Sequence, residues 1–323
     1  MPETMRAVVF DRFGPPEVLR MEDLPIPVPG PGHVLVEVVA TSLNLSDWEC
    51  LVGSPLYAKE LRLRTPRRRV LGSDIAGRVA AVGEGVTAFA VGDEVYGDNL
   101  GLKGGFAQYA VAPTSMLAHK PAGLTFAQAS TIPQAGAIAL HGTEHAEEGI
   151  RMLINGGGGG SGMFAIPLAK QAGAHVTGVD NAGKLDWMRE LGADAVIDYR
   201  AEDYTRTGPY DLVLDLVAKR SVFAIRRALA PDGRYLCVGG NVRTMLSILS
   251  VGALTGALTG RHIGVLLVRT GPERFAPLAE RCAAGEIGIR IDRTFPLEGV
   301  PEALAHVGEG RALGKVVVEV GAG

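Results

Sequence analysis

The chain is poor in the residues that tie proteins to metals, disulfides or polyanions. Cys50, Cys237 and Cys282 are its only cysteines, far apart and without C-x-x-C spacing. That excludes a four-cysteine zinc site and a disulfide scaffold. Lys and Arg total 32 against 35 Asp and Glu, a formal net charge of -3. With no basic excess, no nucleic-acid partner is expected. Residues 246–258 are apolar but broken by Ser247, Ser250, Gly252, Thr255 and Gly256, short of the roughly 20 residues a membrane helix needs. They read instead as a cap over an apolar pocket or as internal packing. The opening MPETMRAVVF has no signal-peptide pattern, so a cytoplasmic protein is expected.

What is abundant is glycine, 44 residues, within a 47% hydrophobic composition. This suits a turn-rich α/β enzyme, and 323 residues suffice for two cores. The densest glycine cluster lies within RMLINGGGGGSGMFAIPLAKQAGAHVTGVD, residues 151–180. An apolar run, the cluster, a helix-periodic segment and a second apolar run follow one another, as in a βαβ unit. Gly157, Gly159 and Gly162 give the G-x-G-x-x-G spacing, and Asp180 ends the second run. Gly157, Gly159, Gly160, Ser161 and Gly162 are therefore expected around a pyrophosphate at a helix N-terminus. Asp180 is expected to face the adenosine ribose, with Lys184 near it. A carboxylate there favours NADH over NADPH by repelling a 2'-phosphate, although Lys184 and Arg200 can compensate.

In chain order, residues 5–10 and 34–40 read as strands around the proline-rich stretch 25–31. Asn44 and Asp47 follow in SLNLSDW, then a short helix or loop through Tyr57. Arg62, Arg64, Arg67, Arg68 and Arg69 form a basic cluster that either approaches a phosphate or acidic substrate or is simply a solvated loop. VLGSDIAGRVAAVGEGVTAFAVGDEVYG reads as short strands joined by tight turns. Beyond a helix over 127–141, alternating strands and helices run to the strand 235–238. That strand stops at Gly239 and Gly240, which with Asn241 are expected to border the nicotinamide side. Residues 263–268 read as the last strand, whose edge can pair across a homodimer. The tail, helix 275–284, strand 289–292, helix 300–307 and strand 315–320, returns to the first domain. The expected domains are 1–124, 125–270 and 271–323.

Over nearly its full length the chain resembles the medium-chain dehydrogenase/reductase superfamily, in its zinc-free quinone oxidoreductase-like branch. The motifs are the Asn44 and Asp47 spacing, VLGSDIAGRVAAVG, VGDEVYG, GGFAQYA, the glycine turn, RELGADAVIDY, CVGG, DRTFPLEGVPEAL and ALGKVVVEV. The resemblance implies an α/β fold class: a GroES-like, mostly β catalytic domain joined to a Rossmann domain with a doubly wound parallel sheet, the active-site cleft lying between them. Where the metal-bearing branch has its zinc ligands, this chain has Asn44, Ser73 with Asp74, and Gln134, so no zinc is expected. Leu45 and Ile138 replace a proline and a threonine common in the branch. Lys315 resembles the family's late Gly-Lys segment and is grouped with the cofactor residues; a solvent-facing lysine is the alternative.

Without zinc, and with no Tyr-x-x-x-Lys pair, a quinone or enone is an easier acceptor than a simple carbonyl. The expected reaction is hydride transfer from NADH or NADPH to a small quinone or an activated double bond. Asn44 orients the nicotinamide or an acceptor oxygen and Asp47 organises the pocket, unless both merely tie their loop together. Tyr57 is the candidate proton donor, and Gln134 the candidate contact to substrate or carboxamide. Alternatives are a secondary-metabolite enoyl or ketone reductase, a zinc-independent alcohol dehydrogenase, or a non-catalytic dinucleotide-binding protein.

Overall fold

The computed structural model describes residues 2–59 and 64–321; Arg62 of the basic cluster lies outside the described residues. Two compact units emerge, Met1–Ala137 with Arg269–Gly323, and Ile138–Val268.

The first unit opens with β1 (Thr4–Val9) and β2 (Arg20–Pro25), an antiparallel pair. It continues through β3 (His33–Ser42), α1 (Leu45–Val52), β4 (Asp74–Val82), β5 (Glu94–Asp98), β6 (Tyr109–Pro113), β7 (Leu117–His119), α2 (Phe126–Ser130) and the start of α3 (Pro133–Gly142). The helix expected over 127–141 is thus two helices, because Pro133 cannot continue the hydrogen-bonding of α2 and instead starts α3. α2 packs on β3, β4 and β5, so this unit runs past 124, the expected domain end, to Ala137.

The second unit is β8 (Arg151–Asn155), α4 (Gly160–Gln171), β9 (His175–Asp180), α5 (Leu185–Glu190), β10 (Ala195–Asp198), β11 (Tyr210–Asp215), α6 (Val222–Ala228), β12 (Leu229–Cys237), α7 (Val242–Ser247), a π-helical turn, α8 (Ala253–Thr259) and β13 (His262–Val265). Its sheet is parallel throughout, in the order β10-β9-β8-β11-β12-β13. Strand order reverses between β8 and β11, the switch point at which such sheets take ligands. β8 and β11 bury the apolar runs Met152–Ile154 and Leu212–Leu214 at their centres, as strands covered on both faces require.

The tail, α9 (Ala276–Ala283), β14 (Ile291–Pro296), α10 (Val300–Gly308) and β15 (Lys315–Glu319), completes the first unit. β15 lies antiparallel to β3, giving a sheet ordered β14-β15-β3-β4-β5-β7, with β6 also on β3. Phe10, Leu51, Leu71, Phe106, Val300, Leu304, Val316 and Val318 pack into one core. The pairing of β15 with β3 seats Lys315 beside Leu43 and Asn44, 272 and 271 residues away in sequence.

Residues 242–259 form one nearly continuous helical segment that buries Ile248 but exposes Leu246, Leu249, Leu254 and Leu258. Internal packing therefore accounts for only part of this apolar stretch.

Candidate active site

In the second unit β8 ends at Asn155, Gly156 turns at a φ of 86°, and α4 starts at Gly160 with Gly159 as its N-cap. No side chain caps that helix, which leaves its first amides to an anionic ligand. A Cβ on Gly162 would lie 2.3 Å from the Gly157 carbonyl oxygen. Only glycine lets the helix come this close to the turn. Gly157, Gly159, Gly160, Ser161 and Gly162 thus form one backbone cradle between β8 and the first turn of α4.

Asp180, at the end of β9, is largely used internally. Its Oδ1 accepts from the backbone and side-chain nitrogens of Asn181, at 2.8 and 3.1 Å, and its Oδ2 from the Gly158 amide at 3.1 Å. The buried Lys184 ammonium stands 3.7 Å from Oδ2, which offsets the repulsion Asp180 would exert on a 2'-phosphate. Gly239 and Gly240 follow β12 with φ of 71° and 108°, and Asn241 caps α7 through the Thr244 amide, 2.8 Å away.

In the first unit Asn44 precedes α1 and Asp47 reaches back to its amide, Oδ2 accepting at 3.0 Å. This reciprocal start of a helix is what the N-x-x-D spacing encodes. The Asn44 side chain is then consumed. Its Nδ2 donates to Ser73 Oγ at 3.1 Å and Asp74 Oδ2 at 2.9 Å, and its Oδ1 accepts from Lys315 Nζ at 2.6 Å. Lys315 also donates to the Leu43 carbonyl at 3.0 Å and lies 3.6 Å from Asp74 Oδ2. It is 2% exposed, so the solvent-facing alternative does not describe it.

Asp47, Asp74 and Asp98 meet Lys103 and Lys315 in this cluster, all five buried. Burial, opposed by Lys315 and Asn44 and aided by Asp47, pushes the Asp74 carboxyl up to about 6. Burial and then the neighbouring Asp74 push Asp98 up to about 7, the two facing each other across β4 and β5. Burial also raises Asp47, against Lys103, and lowers Lys315, against Asp74. Asp98, Lys103 and this role of Lys315 escaped the sequence reading. The available signal was charge set in apolar strand contexts, GSDIAG, VYGD and LGKVVVE.

Gln134 borders the cluster. Its amide donates to Asp74 Oδ1 at 3.2 Å, its Oε1 accepts from Ser46 Oγ at 3.0 Å, and its buried Nε2 has no partner among the described residues. Tyr57, on the 3-10 turn Leu56–Lys59, is 46% exposed. In the basic cluster, Arg69 is committed to Asp11 and Glu22.

Two amides, a hydroxyl and one carboxylate do not make a zinc shell, which takes cysteine and histidine ligands. The Lys315 ammonium beside Asp74 would also repel a dication. No group of three or more His, Cys, Asp or Glu among the described residues is placed to hold a metal.

A parallel doubly wound sheet with a glycine cradle at its first turn, joined to a largely β unit, defines a two-domain NAD(P)-dependent dehydrogenase/reductase. Residues 30–122 match the alcohol dehydrogenase GroES-like domain and 191–318 the zinc-binding dehydrogenase domain; the metal in the latter description does not suit the residues found here. A chloroplastic quinone oxidoreductase of Triphysaria versicolor is 32% identical over 98% of both chains. The 2-methylene-furan-3-one reductase of Solanum lycopersicum is 31% identical over 98% of this chain and 80% of its own. The quinone oxidoreductase structure from Coxiella burnetii superimposes with a TM-score of 0.88 at 31% identity, covering 98% of this chain and 100% of its own. The chain belongs to the medium-chain dehydrogenase/reductase superfamily, in its zinc-free quinone oxidoreductase-like branch, and is an NAD(P)H-dependent oxidoreductase.

Proposed function

We propose that the protein reduces a small quinone or an activated double bond such as an enone. The observation that carries this reading is the closed cluster around Asn44: an ammonium and internal hydrogen bonds occupy the positions from which a metal would polarise a simple carbonyl. A conjugated acceptor is already electrophilic and needs less help. The names of the relatives above, a quinone reductase and a furanone reductase, point the same way.

The dinucleotide binds at the glycine cradle, with Asp180 and Lys184 at its adenosine end and Gly239, Gly240 and Asn241 toward its nicotinamide. Bound there, it supplies the hydride. Asp180 favours NADH, by a margin that Lys184 keeps small. Asn44 and Asp47 act by holding α1 and its neighbours in place, since their polar atoms are already engaged. Gln134 keeps an unused donor, Nε2, for an acceptor or carboxamide oxygen. Tyr57 delivers the proton that completes reduction.

The protein is a cytoplasmic homodimer in this reading. Among the described residues β13 pairs only with β12 and ends its sheet, and Leu246, Leu249, Leu254, Leu258 and Leu267 are exposed on or near it. A second copy covers both the open edge and the leucines. The three cysteines form no disulfide among the described residues, which suits a reducing compartment, and among those residues no helix is long and apolar enough to cross a membrane.

The test is oxidation of NADH and of NADPH with a panel of quinones, enones and aldehydes. Turnover is expected with the first two classes and a modest preference for NADH. Dinucleotide binding without turnover by any acceptor would overturn the reductase reading. Sedimentation reporting a monomer at micromolar concentration would overturn the dimer.

A further inference from the structure

Between the turn that follows β5 and the segment that leads to Leu71 lies a cavity of about 260 Å³. Met5, Ala107 and Ala110 form its buried floor, and the half-buried Arg68 and Tyr109 stand at its rim. Into this apolar lining the fold brings two cations. Lys103 is 4% exposed, and a tight turn fixes it there. Asn99 Nδ2 donates to the Lys103 carbonyl at 2.6 Å and to the Val111 carbonyl at 3.0 Å, and Lys103 itself takes a φ of 59°. Arg68 is held through its neighbour: the Arg69 carbonyl accepts from the Phe10 amide at 3.0 Å, and the Arg69 side chain is tied to Asp11 and Glu22.

Both cations keep donors unspent. An ammonium has three protons to donate, and the one hydrogen bond of Lys103 Nζ among the described residues is a long one, 3.5 Å to the Leu100 carbonyl. The neighbouring carboxylates are engaged elsewhere. Asp47 accepts from the Asn44 and Gly72 amides at 3.0 and 3.2 Å, and Asp98 from the Leu100 amide at 2.9 Å. Neither forms an ion pair with Lys103 among the described residues. Arg68 Nε is buried and has no partner among them. A narrower space that shares these two side chains is bordered by Lys59 and Arg67 as well. Four cations therefore converge, and among the described residues no Asp or Glu lines either space. Buried charge of one sign is costly until an anion takes its donors.

We propose that this cavity binds a small organic anion, a carboxylate on an apolar body the size of a single ring. Lys103 Nζ and Arg68 receive the carboxylate, and the body rests on Met5, Ala107 and Ala110. Charged donors make the stronger hydrogen bonds, and an apolar floor that excludes water strengthens them further. The volume lies just below the range for drug-sized ligands, which suits one ring. Inorganic phosphate satisfies the charges but leaves the floor wet, and a neutral ring covers the floor but leaves the charges unpaired. Both are therefore weaker ligands. The site is built from residues of the first unit alone and stands independently of the reductase reading.

The experiment is isothermal titration calorimetry of the full chain at about pH 7, where benzoate is ionised. Sodium benzoate, benzyl alcohol and inorganic phosphate are compared, on wild type, Arg68→Gln and Lys103→Met. Benzoate is expected to saturate a single site at least about tenfold more tightly than the other two, and each substitution to weaken it at least about tenfold, as loss of a charged hydrogen bond does. Arg68 is half-buried outside any helix or strand, so Arg68→Gln should keep the wild-type urea midpoint. It decides the matter alone if Lys103→Met does not fold. Benzyl alcohol bound as tightly as benzoate overturns the anion site, and phosphate bound as tightly overturns the role of the apolar floor. Benzoate that does not saturate by roughly 10 mM, or that binds folded Arg68→Gln with undiminished affinity, overturns the proposal.

Discussion

Asp215 in the second unit and Asp74 in the first are equally buried, both at 0% exposure, yet their surroundings are opposite. Asp215 takes four donors: the Asn155 side chain at 2.7 Å, the Val217 and Ala218 amides at 2.9 and 2.8 Å, and the Tyr235 hydroxyl at 2.8 Å. Asp74 has fewer neutral donors, relies on an ammonium 3.6 Å away, and faces two other carboxyls. The difference teaches that equal burial leaves donor supply and neighbouring charge to decide how a buried carboxyl is held: at Asp74 the Asp47 carboxyl adds to burial in raising it, against Lys315 and Asn44.

The strongest way to break this comparison is Lys315→Met. It leaves Asp74 buried without its counter-charge and should cost about 3–5 kcal/mol in urea unfolding. Replacing Asp74 with Leu in the same chain should restore much of that loss; a loss unaffected by the second change would show that packing, not charge, is at stake. Asp215→Asn comes next. It alters an acceptor that takes four donors and should cost about 1.5–3 kcal/mol in urea unfolding; an unchanged midpoint would show that these bonds do not brace the unit.

A smaller effect sharpens the contrast. The values of Asp74 and Asp98 lie above those of the unfolded chain, so the native state holds the extra proton. That contribution is fully present below about pH 4 and is lost as pH rises through about 6 and about 7. Stability of the first unit should therefore decline over this window by at most about 1.4 kcal/mol per pH unit for each proton. Asp98→Asn should flatten the decline, and a slope identical to wild type would remove Asp98 from the titration. Smallest is Lys184→Ala, which should shift the kcat/KM ratio several-fold further toward NADH by leaving Asp180 unopposed; an unaltered ratio would show that Lys184 does not reach the cofactor.

The glycine cradle was legible because every requirement is local. Gly156 must turn and Gly162 must lack a Cβ, and each demand is met by a residue within one short stretch. The N-x-x-D start of α1 was legible for the same reason. Lys315 was not: it meets Asn44 across 271 residues of chain, and nothing near it in sequence says whether its ammonium faces water or a buried carboxylate. Asp180 was half legible. Its place at the strand end followed from spacing, while the donors that occupy its oxygens belong to the folded turn.

By itself the sequence determined the two-domain order and the dinucleotide turn, because backbone sterics and strand–helix periodicity are written in neighbouring residues; the residues expected at the metal positions came from the family resemblance. Only the tertiary structure decided which charges are buried together and where a proton is held, because desolvation and Coulomb energy depend on what packing brings near from elsewhere in the chain.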